Sequence, residues 1–146
     1  MNCIFCKIIN KEIINDNIFY EDDNIIAILD IDYVVKWHAL VIPKKHFENL
    51  SDMNEEEYLY FSKMVYKIEK ELLKLCNKDR WVILKTWWIV SHFHFHIYPV
   101  NKDTSWSDLK DMIEKDPNER KKDFLYKYIE NEKEDLIKDL SKNLSI

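Results

Sequence analysis

The 146-residue chain contains no glycine. A globular chain of this length carries roughly ten at average usage. Glycine takes positive φ without steric penalty, so a fold with tight turns and none is hard to build. Cysteine is scarce as well: there are three, two of them close together, which does not make the disulfide framework of a small secreted protein. Basic charge is not in excess. The 22 Lys and Arg are outnumbered by 27 Asp and Glu, for a net charge of −5. Sequence-independent binding of nucleic acid needs a basic face, so no nucleic-acid partner is expected. No apolar run approaches the roughly 18 residues that span a bilayer, so no membrane partner is expected either. The first residues lack the basic segment and long apolar segment of a signal peptide. What remains is the expectation of a cytoplasmic protein with a single hydrophobic core, 47% of its residues being apolar.

Several elements are legible. Residues 3–10 suit a short helical turn. Runs at 18–21 and 24–31 read as strands joined by a turn at Asp22 and Asp23. Residues 38–43 read as a buried strand ended by Pro43. Asn54 and Glu57 have the spacing of a capping box, and Tyr58, Phe61, Val65, Ile68, Leu72 and Leu75 then recur every three or four residues. That spacing predicts one long core-packing helix over 54–77. Strands are predicted at 82–86 and 89–98 with only Trp87 and Trp88 between them. Such two-residue hairpins favour glycine, because a type I′ turn needs φ > 0 at both positions. Residues 104–116 and 118–144 read as helical. In the latter, Phe124, Leu125, Tyr128, Ile129, Leu136, Ile137, Leu140 and Leu144 form a broken apolar stripe. The expected organisation is a core unit over residues 1–100 with a helical C-terminal extension, 101–146, of the same domain.

Three of the five histidines are His92, His94 and His96. With a strand period of two they share one face, while Phe93, Phe95 and Ile97 share the other. Three ionisable rings make a poor core, so the histidine face is expected to meet a cleft, a metal or a phosphate. Cys3 and Cys6 form a Cys-x-x-Cys pair, which alone fits a redox pair, half a zinc site or chance. No strand precedes it, which argues against a thioredoxin-like motif. Two thiolates with two imidazoles would make a structural zinc site. The imidazoles on offer are His38, His46 and the row of three. Cys76 reads as a packing residue.

The alternating motif at 92–98, the segment from Asp30 and Ile31 through His38 and Pro43 to His46, and the N-terminal Cys3 and Cys6 occur together in one order. This combination resembles the histidine triad superfamily of nucleotide hydrolases and transferases, in its zinc-containing branch. The resemblance implies an α+β fold, with an antiparallel sheet of about five strands, one long packed helix and homodimeric pairing. It implies that His94 is the nucleophile, attacking the α-phosphorus of a purine nucleoside phosphoramidate, dinucleoside polyphosphate or related ester through a nucleotidyl-histidine intermediate. His96 and His38 would line the phosphate site, and Asp30 would bind the ribose hydroxyls. Cys3, Cys6, His46 and His92 would hold zinc. The glycine-rich segment usual before the triad is replaced here by residues 85–91, where Ser91 is the expected phosphate contact. Two other readings are a histidine-rich metal-binding module, with His92, His94 and His96 on one transition metal, and a non-catalytic nucleotide-binding scaffold dimer.

The five tryptophans stand at 37, 81, 87, 88 and 106. Trp37 occupies the place of the glycine that precedes the histidine in the resembled motif, and the other four read as turn positions. The pattern predicts that these are glycine positions, with tryptophan arising from decoding or substitution. If the rings are authentic, those at 37, 87 and 88 are expected to crowd the catalytic histidines.

Overall fold

The computed structural model describes residues 2–122, 127–129 and 131–145. Five antiparallel strands form one sheet in the order β1-β2-β3-β5-β4. They are β1 (Ile18–Glu21), β2 (Ile25–Leu29), β3 (Ala39–Pro43), β4 (Arg80–Lys85) and β5 (Phe95–Val100). The helices are α1 (Ile4–Ile9), α2 (Glu55–Cys76), α3 (Trp106–Glu114), α4 (Pro117–Arg120) and α5 (Glu132–Leu144). The expected α+β architecture is what the chain adopts.

β2 and β3 are buried at every position because both sheet faces are covered. On one face Ala27, Leu29, Ala39, Val41 and Ile97 meet Phe61, Val65, Ile68 and Leu72 of α2 and Leu136 and Leu140 of α5. On the other, Ile26, Ile28, Leu40 and Ile42 meet Phe5 and Ile8 of α1. This continuous burial explains why the two strands read as apolar runs rather than as alternations. The β1–β2 turn is built by Asp22, whose carboxylate accepts the backbone N–H groups of Asn24 (2.7 Å) and Ile25 (2.8 Å) and the Tyr20 hydroxyl (2.8 Å). The expected capping box opens α2. The Glu57 N–H donates to Asn54 Oδ1 (2.8 Å) and the Asn54 N–H to Glu57 Oε2 (2.9 Å). Asn77 closes the helix in the left-handed region, where asparagine is tolerated.

Four expectations need correction. Tyr58 lies off the buried stripe of α2 and is exposed. The two-residue hairpin at Trp87 and Trp88 does not form. Lys85 pairs with Phe95, so residues 86–94 are a nine-residue connection and β5 begins only after His94. The predicted helix over 118–144 is broken: α4 ends at Arg120, and α5 starts at Glu132, whose carboxylate accepts the Ile129 N–H (3.0 Å). Within that stripe Leu136, Leu140 and Leu144 are buried, Ile129 is exposed, and Phe124 and Leu125 lie outside the described residues. Lastly, Trp81 sits inside β4 and Trp106 in the first turn of α3, so neither occupies a turn.

Candidate functional site

The segment 92–96 carries two chemistries on adjacent histidines. It is pinned on the helix side by Phe93, whose ring packs edge-on against Phe61 (5.5 Å) and whose N–H donates to the Phe47 carbonyl (2.6 Å). The alternation expected from the sequence therefore holds, although His92 and His94 precede the strand and only His96 lies within it.

His92 is fully buried and points at the N-terminus. Its Nε2–H donates to the Pro43 carbonyl (2.8 Å), since a carbonyl can only accept. That leaves Nδ1 unprotonated, 3.5 Å from both Cys3 Sγ and Cys6 Sγ. His46 Nδ1 lies 3.3 Å from Cys6 Sγ. One ligand atom from each of Cys3, Cys6, His46 and His92 falls within 4.8 Å of the others. A tetrahedral zinc with Zn–S of about 2.3 Å and Zn–N of about 2.05 Å separates sulfur from nitrogen by about 3.6 Å. The donor set and its spacing therefore fit a closed metal site. The Pro43 carbonyl supplies the outer hydrogen bond that usually orients such an imidazole.

His94 has the opposite tautomer. Its Nδ1–H donates to the backbone carbonyl of His92 (2.7 Å), so Nε2 carries the lone pair. His38 accepts the Val34 N–H at Nδ1 (3.0 Å), which places its proton on Nε2, 2.9 Å from His96 Nδ1. His96 then accepts at Nδ1 and carries its own proton on Nε2, 3.1 Å from His94 Nε2 and 3.0 Å from Thr86 Oγ. Burial lowers all three pKa values: His38 is held well below its ordinary value and His96, with His94 beside it, at about 3. All three rings are thus neutral, and the 3.5 Å approach of Asp30 to His38 is not an ion pair. Asp30 is itself raised to about 6 by burial, against the pull of the Asp32 N–H and the Arg120 charge.

These groups line one cavity of about 350 Å³. Asp30, His38, His94 and His96 are at its walls, as expected from the sequence, with Phe5, Ile28 and Leu40 supplying apolar surface. Phe5, set between the two cysteines, packs edge-on against His94 (4.9 Å) and so ties the metal cluster to the pocket. Ser91 is exposed and does not line the cavity; Thr86 stands against the imidazoles instead. Thr86, Tyr98 and Arg120 escaped the sequence reading. Arg120 is buried and bonds the carbonyls of Asp32 (3.2 Å), Met112 (3.2 Å) and Lys115 (2.5 Å), which fastens α3 and α4 to the cavity rim. Their contacts depend on how the 86–94 connection, β5 and the α3–α4 segment fold back on the cavity, which no local periodicity marks.

The tryptophans also sort themselves here. Trp37 has φ of 70°, costly for a residue with a Cβ, but its indole packs on the α2 side against Tyr128 (4.9 Å), away from the cavity. Trp88 lines the cavity, while Trp87 is exposed and absent from its lining. Neither has positive φ. Among the five tryptophans the backbone reason for glycine therefore holds at position 37 alone, and only Trp88 lines the cavity of the histidines.

The single-metal triad is likewise overturned: His92 faces the cysteines, and His94 and His96 face the cavity. Asp30, His38 and His96 do bring ligand atoms within 4.8 Å, but the His38–His96 hydrogen bond occupies the nitrogens a metal would need.

A five-stranded antiparallel sheet with alternating histidines at one cavity and a Cys₂His₂ cluster beside it is the architecture of histidine triad proteins. The HIT domain family matches residues 11–103, and the chain belongs to that family. An uncharacterized HIT-like protein of Methanocaldococcus jannaschii is 42% identical over 101 residues, spanning 66% of this chain and 78% of its own. The adenosine 5′-monophosphoramidase HNT1 of Saccharomyces cerevisiae is 35% identical over 108 residues, spanning 70% and 65%. The crystal structure of a hypothetical histidine triad nucleotide-binding protein of Sulfolobus tokodaii superposes with a TM-score of 0.73 at 27% identity, covering 98% of this chain and 92% of that one.

Proposed function

We infer that the protein is a nucleotide hydrolase or nucleotidyl transferase acting through His94. The observation that carries this reading is the bond from His94 Nδ1–H to the His92 carbonyl, which leaves an unprotonated Nε2 on His94 at the wall of the cavity of about 350 Å³. The phosphoramidase activity of a relative supports the substrate class.

The His94 Nε2 lone pair attacks the α-phosphorus. The bond from phosphorus to the leaving group breaks, and that group departs with the electron pair and takes a proton from water. His96 Nε2–H donates to a nonbridging oxygen as charge builds there. Water then attacks the phosphorus of the nucleotidyl-histidine and gives a proton to the hydroxide left by the first step; the bond from phosphorus to Nε2 breaks, which releases the nucleotide and returns the electron pair to His94. His38 has a different part from the one expected. Its only ring proton is committed to His96, so it is a positioning residue for His96 rather than a phosphate ligand. Asp30 faces the cavity for the ribose hydroxyls. Cys3, Cys6, His46 and His92 would hold zinc, which when bound would fix the N-terminus and the start of segment 92–96. β4 is an edge strand with Ile83 exposed, which supports pairing of two copies; light scattering on the eluting protein tests that.

The test of the function is incubation with an adenosine phosphoramidate or a dinucleoside polyphosphate, followed by mass spectrometry. Release of the nucleotide with an adduct on His94 is expected. Folded protein that gives neither would leave the non-catalytic scaffold reading in its place.

A further inference from the structure

Tyr98 of β5 stands beside the histidines. Its ring lies parallel to the His96 imidazole (3° between planes, centroids 5.8 Å apart) and packs on that of His38 (4.3 Å). It lines the same cavity and is only 2% exposed. Val34, Val100 and Leu109 cluster with it and account for the burial of the ring. They do not account for the hydroxyl: among the described residues, none hydrogen-bonds to it. A buried tyrosine usually finds a partner for its O–H, because a hydroxyl withdrawn from water and left unmet costs free energy. Phenylalanine would pack here equally well, so the hydroxyl points to a ligand in the cavity.

The surroundings of the hydroxyl define that ligand. Burial and the Asp30 carboxylate raise the Tyr98 pKa, so the hydroxyl keeps its proton and is a donor. Asp30, on the wall of the same cavity, is an acceptor. Its Oδ1 takes the Asp32 N–H (3.0 Å), and its Oδ2 lies 3.5 Å from His38 Nε2, whose proton is committed to His96. A carboxylate has about four lone-pair sites, so Asp30 has acceptor capacity left. Arg120, the other charge that bears on Tyr98, is engaged by the carbonyls of Met112, Lys115 and Asp32. A group that fits between Tyr98 and Asp30 must accept from the first and donate to the second. An ionised phosphate oxygen cannot donate and an ammonium cannot accept, whereas a hydroxyl does both. On a nucleotide seated with its phosphorus at His94, that hydroxyl belongs to the ribose.

We propose that Tyr98 is a specificity-determining residue whose O–H donates to a ribose hydroxyl that donates in turn to Asp30, so that the cavity selects ribonucleotides over deoxyribonucleotides. A substrate lacking that hydroxyl leaves both Tyr98 and Asp30 buried and unpaired, which is how a site built to bond a hydroxyl rejects the analogue without it. The inference rests on the nucleotidyl reading of the cavity.

Kinetics with three adenosine phosphoramidates tests it: the ribonucleotide, its 2′-deoxy analogue and its 3′-deoxy analogue. In the parent protein, kcat/KM for the ribonucleotide is expected to exceed that for at least one deoxy analogue by about tenfold or more. Tyr98→Phe keeps the ring and its stacking on His96. It should lose about tenfold on the ribonucleotide, the scale of one hydrogen bond, and stay within about twofold of the parent on that deoxy analogue. Equal losses on all three substrates would mean that the tyrosine only supports the fold. No loss on the ribonucleotide would mean that its hydroxyl meets water alone. Either result overturns the inference. So does a parent that turns over all three substrates alike, a comparison that needs no variant to fold. Parent protein with neither turnover nor adduct would remove the nucleotidyl reading, and this inference with it. A parent that turns over the ribonucleotide without the expected split in Tyr98→Phe would remove the role of Tyr98 alone.

Discussion

His92 and His94 are two residues apart, are both buried, and each donate one ring proton to a backbone carbonyl, yet they carry opposite tautomers. His92 gives its Nε2 proton to Pro43 and turns a bare Nδ1 to two cysteines. His94 gives its Nδ1 proton to His92 itself and turns a bare Nε2 to the cavity. The difference lies in the position of the nearest carbonyl rather than in the residue type. On the proposed function, this is what would fit one imidazole to a metal and the other to nucleophilic attack. Phe93 enforces the division by anchoring the intervening residue in the core on the opposite face.

If the division is real, the two sites break independently. The largest effect is expected from His94→Ala, which removes the attacking nitrogen. Turnover of an adenosine phosphoramidate should fall by about 10⁴-fold or more, while bound metal, measured by elemental analysis, stays at the parent level. Loss of metal in this variant would mean that the sites are one. The converse variant, Cys6→Ala, should lose the metal and lower the melting temperature by about 10 °C or more. His94 should still be able to form an adduct in the fraction that stays folded. Thermal melting with and without chelator checks the first part.

Acid separates the pocket from the rest of the fold. His38 and His96 have folded pKa values below the unfolded value of 6.5, down to about 3 for His96. The unfolded chain therefore binds more protons as pH falls through 6.5, and stability declines from there. Asp30 has the opposite sign, because its folded pKa of about 6 exceeds the unfolded 3.8. Its contribution favours the fold at low pH and is lost as pH rises through 6. His94 is shifted in the same direction, and these imidazoles outweigh one carboxyl, so about 2 kcal/mol or more should be lost between pH 7 and 5. Denaturant titrations at the two values measure it, and His96→Gln should shrink the loss.

The smallest expected effect concerns the residue before His38. Trp37→Gly relieves a left-handed backbone, worth about 1 kcal/mol, but removes a buried indole, worth about 3 kcal/mol, so a net loss of about 2 kcal/mol is expected; a net gain in a denaturant titration would mean that the indole does not pack in the core. The intact mass of the protein from its native cells decides whether the five tryptophans are authentic.

Much of this was legible in the chain. The period-two histidines against Phe93 and Ile97, the capping box at Asn54 and Glu57, and the buried runs of β2 and β3 are local patterns, and local patterns survive folding. The loop at 86–94 was misread as a hairpin because Trp87, Trp88, Ile89 and Val90 look like strand residues. Only the Lys85–Phe95 register shows that they are not. Thr86 and Arg120 were invisible for a different reason. Thr86 matters because the imidazoles of His94 and His96 meet at its hydroxyl, and Arg120 because the turn at 30–32 comes to meet it. Neither fact is written in neighbouring residues. The part of His38 changed for a similar cause: its motif marks it as a site residue, but only the Val34 N–H shows where its proton lies.

The opposed tautomers can be read directly. Long-range nitrogen–proton correlation spectra of the metal-loaded, histidine-labelled protein assign the protonated nitrogen of each ring. The account predicts a proton on Nε2 of His92 and on Nδ1 of His94. The same tautomer on both rings, or a proton on Nε2 of His94, would contradict it.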